Sequence, residues 1–245
     1  MDAVIQTEKL TKRFGDFIAA NEITLEVYKG EIFGFLGANG AGKTTAMRML
    51  CGLSTPSSGK ATIAGFDVYR QTEKIKKNIG YMSQKFSLYD DLTVLENIYF
   101  FGGIYGLSDA QLKEKSGELV KRLGLEREAT KLVSSLPLGW KQKLSFSVAV
   151  LHDPKIVFLD EPTGGVDPVT RRQFWDLIYE AADRGLTVFV TTHYMDEAEY
   201  CNRISLMVDG KVEALDSPAN LKKNFGAASM DEVFYQLARG AKRGD

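Results

Sequence analysis

Gly37-Ala38-Asn39-Gly40-Ala41-Gly42-Lys43-Thr44-Thr45 is the stretch whose reading decides the fold. It matches G-x-x-x-x-G-K-[ST] without a gap. Before it, Glu31-Ile32-Phe33-Gly34-Phe35-Leu36 is apolar and strand-like; after it, Ala46-Met47-Arg48-Met49-Leu50-Cys51 reads as helix. Strand, glycine turn and helix in that order describe a phosphate-binding loop. The glycines let backbone N–H groups turn inward around an anion, and the helix adds its positive N-terminal end. In such a loop Lys43 reaches the β- and γ-phosphates of a nucleotide, and the Thr44 hydroxyl sits on Mg²⁺.

Further along the chain, Ile156-Val157-Phe158-Leu159-Asp160-Glu161 sets two acids behind four apolar residues. A continuous apolar run is the mark of a buried parallel strand. Its carboxyl end presents Asp160 and Glu161 to a crevice where ligands bind. Leu186-Thr187-Val188-Phe189-Val190 is a second such strand, and Thr191-Thr192-His193 follows it to the same edge. Ile79-Gly80-Tyr81-Met82-Ser83 is a third, ending at Gln84. With a phosphate loop in the same chain, these residues point to metal and water chemistry on a nucleotide. Phe14, upstream of the loop, is an aromatic available to stack on a purine base.

Residues 3 to 35 alternate in the manner of strands, most clearly Ile23-Thr24-Leu25-Glu26-Val27. From Leu92 to Leu132 the pattern turns helical. Thr93 and Glu96 have capping-box spacing, Ser108 opens a second helix in the same way, and that helix stops at Gly124. The segment interrupts the strand–helix rhythm and reads as an inserted helical subdomain. Further helices are expected from Gly139 to His152, from Val169 to Asp183, after Ser217-Pro218 and from Met230. Ile204–Val208 and Val212–Ala214 are expected to pair across the Asp209-Gly210 turn. The tail Arg239–Asp245 is expected to be disordered.

The 245 residues are 44% hydrophobic and 26% charged, which fits a folded chain with a sizeable core. A formal net charge of −1 argues against a general nucleic-acid binder. Cys51 and Cys201 lie far apart and fit reduced thiols in a cytoplasmic protein. The N-terminus lacks the pattern of a signal peptide. No apolar run reaches the roughly 18 residues of a membrane span.

The ordered set of phosphate loop, Gln84, Leu136–Trp140, Asp160-Glu161, Asp167 and His193 resembles the nucleotide-binding subunit of an ATP-binding cassette (ABC) transporter, over almost the whole chain. The resemblance implies an α/β fold: a P-loop NTPase (RecA-like) core, an N-terminal antiparallel β subdomain and an inserted helical subdomain. It implies a single domain over 1–245, with the β subdomain and phosphate loop in 1–84, helical subdomain in 85–138, the rest of the core in 139–228 and a C-terminal helix and tail in 229–245. It implies ATP and Mg²⁺ as cofactors. By this likeness Phe14 is the adenine-stacking aromatic, and Gln84 senses Mg²⁺ and the membrane partner. Asp160 holds Mg²⁺, usually through water, and Glu161 is the general base. Asp167 lies in a loop crossing a dimer interface, and His193 touches the γ-phosphate.

One segment departs from the pattern. The family's signature usually reads Leu-Ser-Gly-Gly-Gln, and here it is Leu136-Pro137-Leu138-Gly139-Trp140. In the family, the signature of one subunit caps the ATP held by the other. Pro137 has neither hydroxyl nor backbone N–H. Either hydrolysis is slowed, or a neighbour such as Lys141 supplies the missing contact. The resemblance implies a second ATP-binding subunit and separate transmembrane subunits as partners, no nucleic acid, and a place on the cytoplasmic face of a membrane, as in exporter-type systems. Phe86, Leu88, Tyr89, Tyr99, Phe100, Phe101 and Tyr105 are candidates for the docking groove. Two rivals stand beside this reading: a soluble cassette acting on ribosomes or DNA, and a regulatory subunit that binds ATP without hydrolysing it.

Overall fold

The computed structural model describes residues 2–84 and 88–240. Phe86, one of the docking candidates, lies outside the described residues, as does the tail from 241 to 245. Two long strands, β1 (Ala3–Phe14) and β2 (Phe17–Tyr28), pair antiparallel through a tight turn at Gly15-Asp16. Their alternating pattern buries one face, with Ile5, Leu10, Ile23, Leu25 and Val27 inward. β3 (Ile32–Gly37) leads through the glycine loop into α1 (Lys43–Leu50). β4 (Ser58–Ile63) and β5 (Phe66–Asp67) complete a four-stranded sheet in the order β2-β1-β4-β5.

The second sheet has six strands. After α2 (Thr72–Asn78) it takes up β6 (Ile79–Met82). Two helices then depart from it, α3 (Val94–Ile104) and α4 (Asp109–Leu123), followed by α5 (Leu138–Ala149). β7 (Ile156–Asp160), α6 (Pro168–Asp183) and β8 (Thr187–Thr192) return the chain to the sheet. β9 (Arg203–Val208) and β10 (Lys211–Asp216) form the expected hairpin, and α7 (Pro218–Phe225) and α8 (Met230–Gly240) close the chain. α8 takes in Arg239 and Gly240, the first two residues of the expected tail.

The order is β10-β9-β3-β8-β7-β6. All neighbouring pairs from β9 to β6 are parallel. β3, β7 and β8 are buried from end to end and mostly apolar on both faces, with Asp160, Thr191 and Thr192 polar at the carboxyl ends and Thr187 at the start of β8. Parallel strands end at one edge. The residues after β3, β6, β7 and β8 therefore emerge together.

The core has three parts. Phe33, Phe35, Phe158 and Phe189 pack between the parallel sheet and the antiparallel one, with ring centroids 5.3 to 5.6 Å apart. On the other face Trp175, Phe174 and Phe146 pack under α6. A third cluster holds the inserted helices: Val94, Ile98, Leu119 and Leu123 meet Leu144 and Val148 of α5. α5 thus belongs to the insert and the core at once, because Phe146 and Ala149 face the second cluster. Both capping boxes form, Thr93 with Glu96 and Ser108 with Gln111, and each cap stabilises its helix by about 1 kcal/mol. Buried Asn97 ties the preceding loop to α3 through Tyr89 N at 2.8 Å and Tyr89 O at 2.9 Å. Cys51 and Cys201 are free and buried, and burial pushes both thiols up in pKa. They are poor nucleophiles in this state.

Candidate functional site

The glycine loop is shaped by close packing. Gly42 has φ 100°, and a Cβ there would lie 2.1 Å from the backbone oxygen of Ala19. Only glycine satisfies both constraints. Lys43, 4% exposed, donates to Gly37 O at 2.7 Å and Ala38 O at 3.0 Å. Its ammonium also lies 3.5 Å from Glu161 Oε1. Burial lowers the Lys43 pKa, and Glu161 and then Asp160 pull it back up.

Glu161 is where the strand ends meet. Its Oε2 accepts from Gln84 Nε2 at 3.0 Å and lies 3.0 Å from His193 Nδ1. The residue sits at φ 48°, a left-handed conformation unusual for a side chain of this size. Its N–H donates to Thr191 O and Thr191 Oγ1, both at 3.1 Å. Beside it, Asp160 is 2% exposed and its Oδ1 accepts from Thr191 Oγ1 at 2.6 Å and Thr44 Oγ1 at 3.2 Å. Gln84, Lys43, Thr44, Asp160, Glu161 and His193 are thus one connected group. A cavity of about 330 Å³ opens over it, lined by Phe17, Asn39, Gly40, Lys43, Thr44 and Thr45 among others. The Lys43 ammonium, the Thr44 hydroxyl and the Glu161 carboxylate all line it, a set suited to an anion with its counter-ion.

Phe14 does not line this cavity, whereas Phe17 does. The two rings flank the β1–β2 turn in register, 56% and 65% exposed. Aromatics so exposed at the rim of a polar cavity are unusual for packing alone. Phe14 carries the Lys12 ammonium 5.1 Å from its ring centroid. Phe17 had a sequence signal, a second aromatic across the two-residue turn. Thr191 had no such signal: only the parallel register of β7 and β8 sets it opposite Asp160.

The signature segment lies elsewhere in the chain. Pro137 stands at the N-cap of α5 with φ −56° and ψ 151°, and makes no side-chain cap bond. The amides of Leu138 and Gly139 head the helix, where no intrahelical acceptor exists. A Cβ on Gly139 would come within 2.5 Å of Thr170 Cγ2. A second cavity of about 330 Å³ opens here, lined by Pro137, Leu138, Gly139, Trp140, Lys143 and Asp167 among others. It shares no lining residue with the phosphate-loop cavity. Lys141 does not line it; its ammonium is held by Asp90 at 2.8 Å. Lys143 does, bonded to Gln173 Oε1 at 2.8 Å and 5.3 Å above the Trp140 ring. Asp167 caps α6, accepting from the Val169 and Thr170 amides at 3.0 Å and the Thr170 hydroxyl at 2.5 Å. Those bonds, the Thr170 hydroxyl's first, hold its carboxyl below the usual carboxylate range.

Of the docking candidates, Tyr89, Tyr99 and Phe100 are exposed. Leu88 is buried, and Tyr105 stacks on His152 with centroids 3.8 Å apart. A roomier cleft of about 760 Å³, bordered by Lys29, Lys155 and Arg184, opens where β7 and β8 begin. It is therefore at the opposite end of the strands from Glu161.

Comparison with known proteins agrees with this geometry. The model of the family described as ABC transporter matches residues 20–164. The chain is 46% identical over 241 residues to the probable multidrug ABC transporter ATP-binding protein YbhF of Escherichia coli, covering 96% of this chain and 42% of that protein. It is 34% identical over 231 residues to the linearmycin resistance ATP-binding protein LnrL of Bacillus subtilis, covering 94% of this chain and 74% of that one. A solved dimeric ATP-binding cassette in a post-hydrolysis state with ADP and phosphate superimposes with TM-score 0.78 at 27% identity, over 87% of this chain and 98% of that one. The chain thus spans less than half the length of the first of these relatives. With its phosphate loop, two-sheet α/β fold and inserted helices, it belongs to the ABC transporter family, as an ATP-binding domain of that family.

Proposed function

We propose that the chain hydrolyses ATP to drive transport of a substrate through separate transmembrane subunits, working as one half of a head-to-tail pair on the cytoplasmic face of a membrane. The observation that carries this reading is the convergence of Lys43, Gln84 and His193 on the Glu161 carboxylate. A carboxylate so placed is a general base for water beside the terminal phosphate. Without nucleotide, Lys43 neutralises Glu161. Entering phosphate oxygens compete for the Lys43 ammonium, which leaves the Glu161 carboxylate free to accept from water. His193 then stands to hold the γ-phosphate, and Phe14 and Phe17 to hold the base of the nucleotide.

Thr44 Oγ1, Asp160 Oδ1 and the Gln84 amide are hard oxygen donors of the kind Mg²⁺ takes. Among the described residues no cluster of three His, Cys, Asp or Glu side chains could hold an ion alone. The remaining ligands would be phosphate oxygens and water. When bound, the ion neutralises charge on the phosphates.

The pairing rests on the separation of the two cavities. The amides of Leu138 and Gly139 face no phosphate of their own chain, so a second subunit's ATP is the anion they fit. Asp167, beside them, would lie in the interface. The exposed Tyr89, Tyr99 and Phe100 would meet the membrane partner, and the subdivision into 1–84, 85–138, 139–228 and 229–245 follows from the same reading. No helix among the described residues is long and apolar enough to cross a membrane. The test is ATP turnover of the native assembled complex against its Glu161→Gln variant. Turnover at least about 100-fold faster in the wild type is expected for loss of a general base. Equal rates would leave only a regulatory, ATP-binding role. Copurification with ribosomes or DNA instead of membrane proteins would favour the soluble rival.

A further inference from the structure

The hydrolytic group stands on a second, buried one. Thr163 follows Glu161 by two residues and is 1% exposed. Its hydroxyl donates to Glu197 Oε1 at 2.6 Å. Glu197 lies in the 3-10 turn Met195–Tyr200 just after His193, and its side chain is fully buried. Arg171 of α6 reaches the same carboxylate, Nε to Oε1 at 3.7 Å, and its guanidinium lies 4.2 Å over the ring of Tyr194. It also meets Asp196 at 3.4 Å. One carboxylate therefore touches the segment after Glu161 and α6, whose N-cap is Asp167, from within the segment that carries His193.

Packing alone gives no reason for a carboxylate here. A buried charge is costly, and an apolar replacement of the same shape is often neutral or stabilising. Glu197 Oε2 and Arg171 Nε are both buried without a hydrogen-bond partner among the described residues. An incompletely satisfied buried pair calls for a reason beyond stability. The neighbouring backbone supplies it. Glu161 holds a left-handed φ of 48°, and its O accepts from Gly164 N at 3.2 Å in the turn containing Thr163. Such a conformation persists only where the surroundings over-determine it. Thr163 is the side chain of that turn with a buried anchor.

We propose that Glu197 is a positioning residue for hydrolysis: through Thr163 it fixes the turn that aims Glu161, and it keeps that turn in register with His193. It touches neither nucleotide nor water. The inference rests on the reading of Glu161 as general base and adds that the aim of the base is set from His193's own segment. A change in the His193 segment is thereby passed to Glu161 through one hydrogen bond.

The test uses the native complex and the variants Thr163→Val, Glu197→Ala, Glu197→Gln and the double variant Thr163→Val/Glu197→Ala. Misplacing a catalytic group by about 1 Å costs up to about 100-fold. Thr163→Val and Glu197→Ala should each lower kcat by about 10- to 100-fold with KM for ATP within about twofold of wild type. The double variant should be no slower than the slower single one, because both remove the same bond. Glu197→Gln keeps an oxygen for Thr163 and should recover most of the rate. Wild-type kcat in Thr163→Val, a nearly isosteric change, would overturn the proposal. So would multiplicative losses in the double variant, or losses of kcat, ATP affinity and thermal midpoint together, which mark a purely structural role. A wild type no faster than Glu161→Gln would instead sink the hydrolytic reading itself.

Discussion

Pro137→Ser is the substitution whose outcome depends most directly on the geometry of α5. Pro137 already has the extended backbone of an N-cap, φ −56° and ψ 151°, which serine adopts without strain. A serine oxygen there accepts from an amide in the first turn, adding about 1 kcal/mol. Removing the proline ring loosens the unfolded chain and costs about 0.4–1 kcal/mol. The two nearly cancel. The thermal midpoint should therefore stay within about 2–4 °C, the shift that 1 kcal/mol gives a chain of this size. Turnover is a different matter. A hydroxyl that accepts from its own helix still has its proton to donate. Aimed at the partner's γ-phosphate, that charge-assisted bond contributes about 1.5–3 kcal/mol. Realised fully in the transition state, it speeds hydrolysis by about 10- to 200-fold. The assay is steady-state ATP turnover of the assembled complex, with the melting curve as control. An unchanged rate at an unchanged midpoint would refute the idea that Pro137 leaves a deficit. Attention would then pass to Lys143, the cation lining that cavity, because Lys141 is already engaged by Asp90.

Lys43→Ala removes the buried ammonium and should weaken ATP binding by about 100-fold or more, read by equilibrium titration; undiminished affinity would contradict the phosphate cradle. Phe17→Ala should weaken ATP by about 5- to 200-fold and leave inorganic triphosphate binding unchanged, since base stacking contributes about 1–3 kcal/mol. Phe14→Ala should do less, and the reverse ranking would restore Phe14 as the principal base contact. Burial holds His152 below its usual 6.5, so the folded chain keeps it neutral while the unfolded chain takes up the proton first. Its contribution is full above that value and is lost as pH falls towards the folded pKa. His152→Phe, which keeps a ring on Tyr105, should therefore flatten the decline of thermal midpoint below about pH 6.5; parallel slopes would exclude this role.

Much of the fold was legible because its signals are local. The glycine loop, the two capping boxes and the Asp209-Gly210 hairpin each announce themselves within a few residues. So did the apolar runs of β7 and β8, with their polar ends. Once those strands are parallel, the meeting of Gln84, Glu161 and His193 at one edge follows from topology. The pairings across that edge were less accessible. Nothing near Lys43 in sequence says that Glu161 will neutralise it, and nothing near Thr163 points to Glu197. Such contacts depend on how far each loop rises above its strand. Phe17 is masked in the sequence for another reason: Phe14, three residues earlier, fits the aromatic of the family pattern. Lys141 and Lys143 are two residues apart on α5, and the helical turn sends one to Asp90 and the other to Gln173.

Gly42 has a mechanical consequence. Its missing Cβ lets the phosphate loop rest directly on the backbone of β2 at Ala19, two residues from Phe17. The loop is clamped from the other side as well: Gly210 N donates to Ala41 O at 3.1 Å, and Asn21 N donates to Gly210 O at 2.7 Å. The β1–β2 edge proposed to meet a base and the loop proposed to meet a triphosphate are therefore a single stiff piece. A nucleotide lying across them is measured against a fixed ruler, and any side chain at position 42 would stretch the scale.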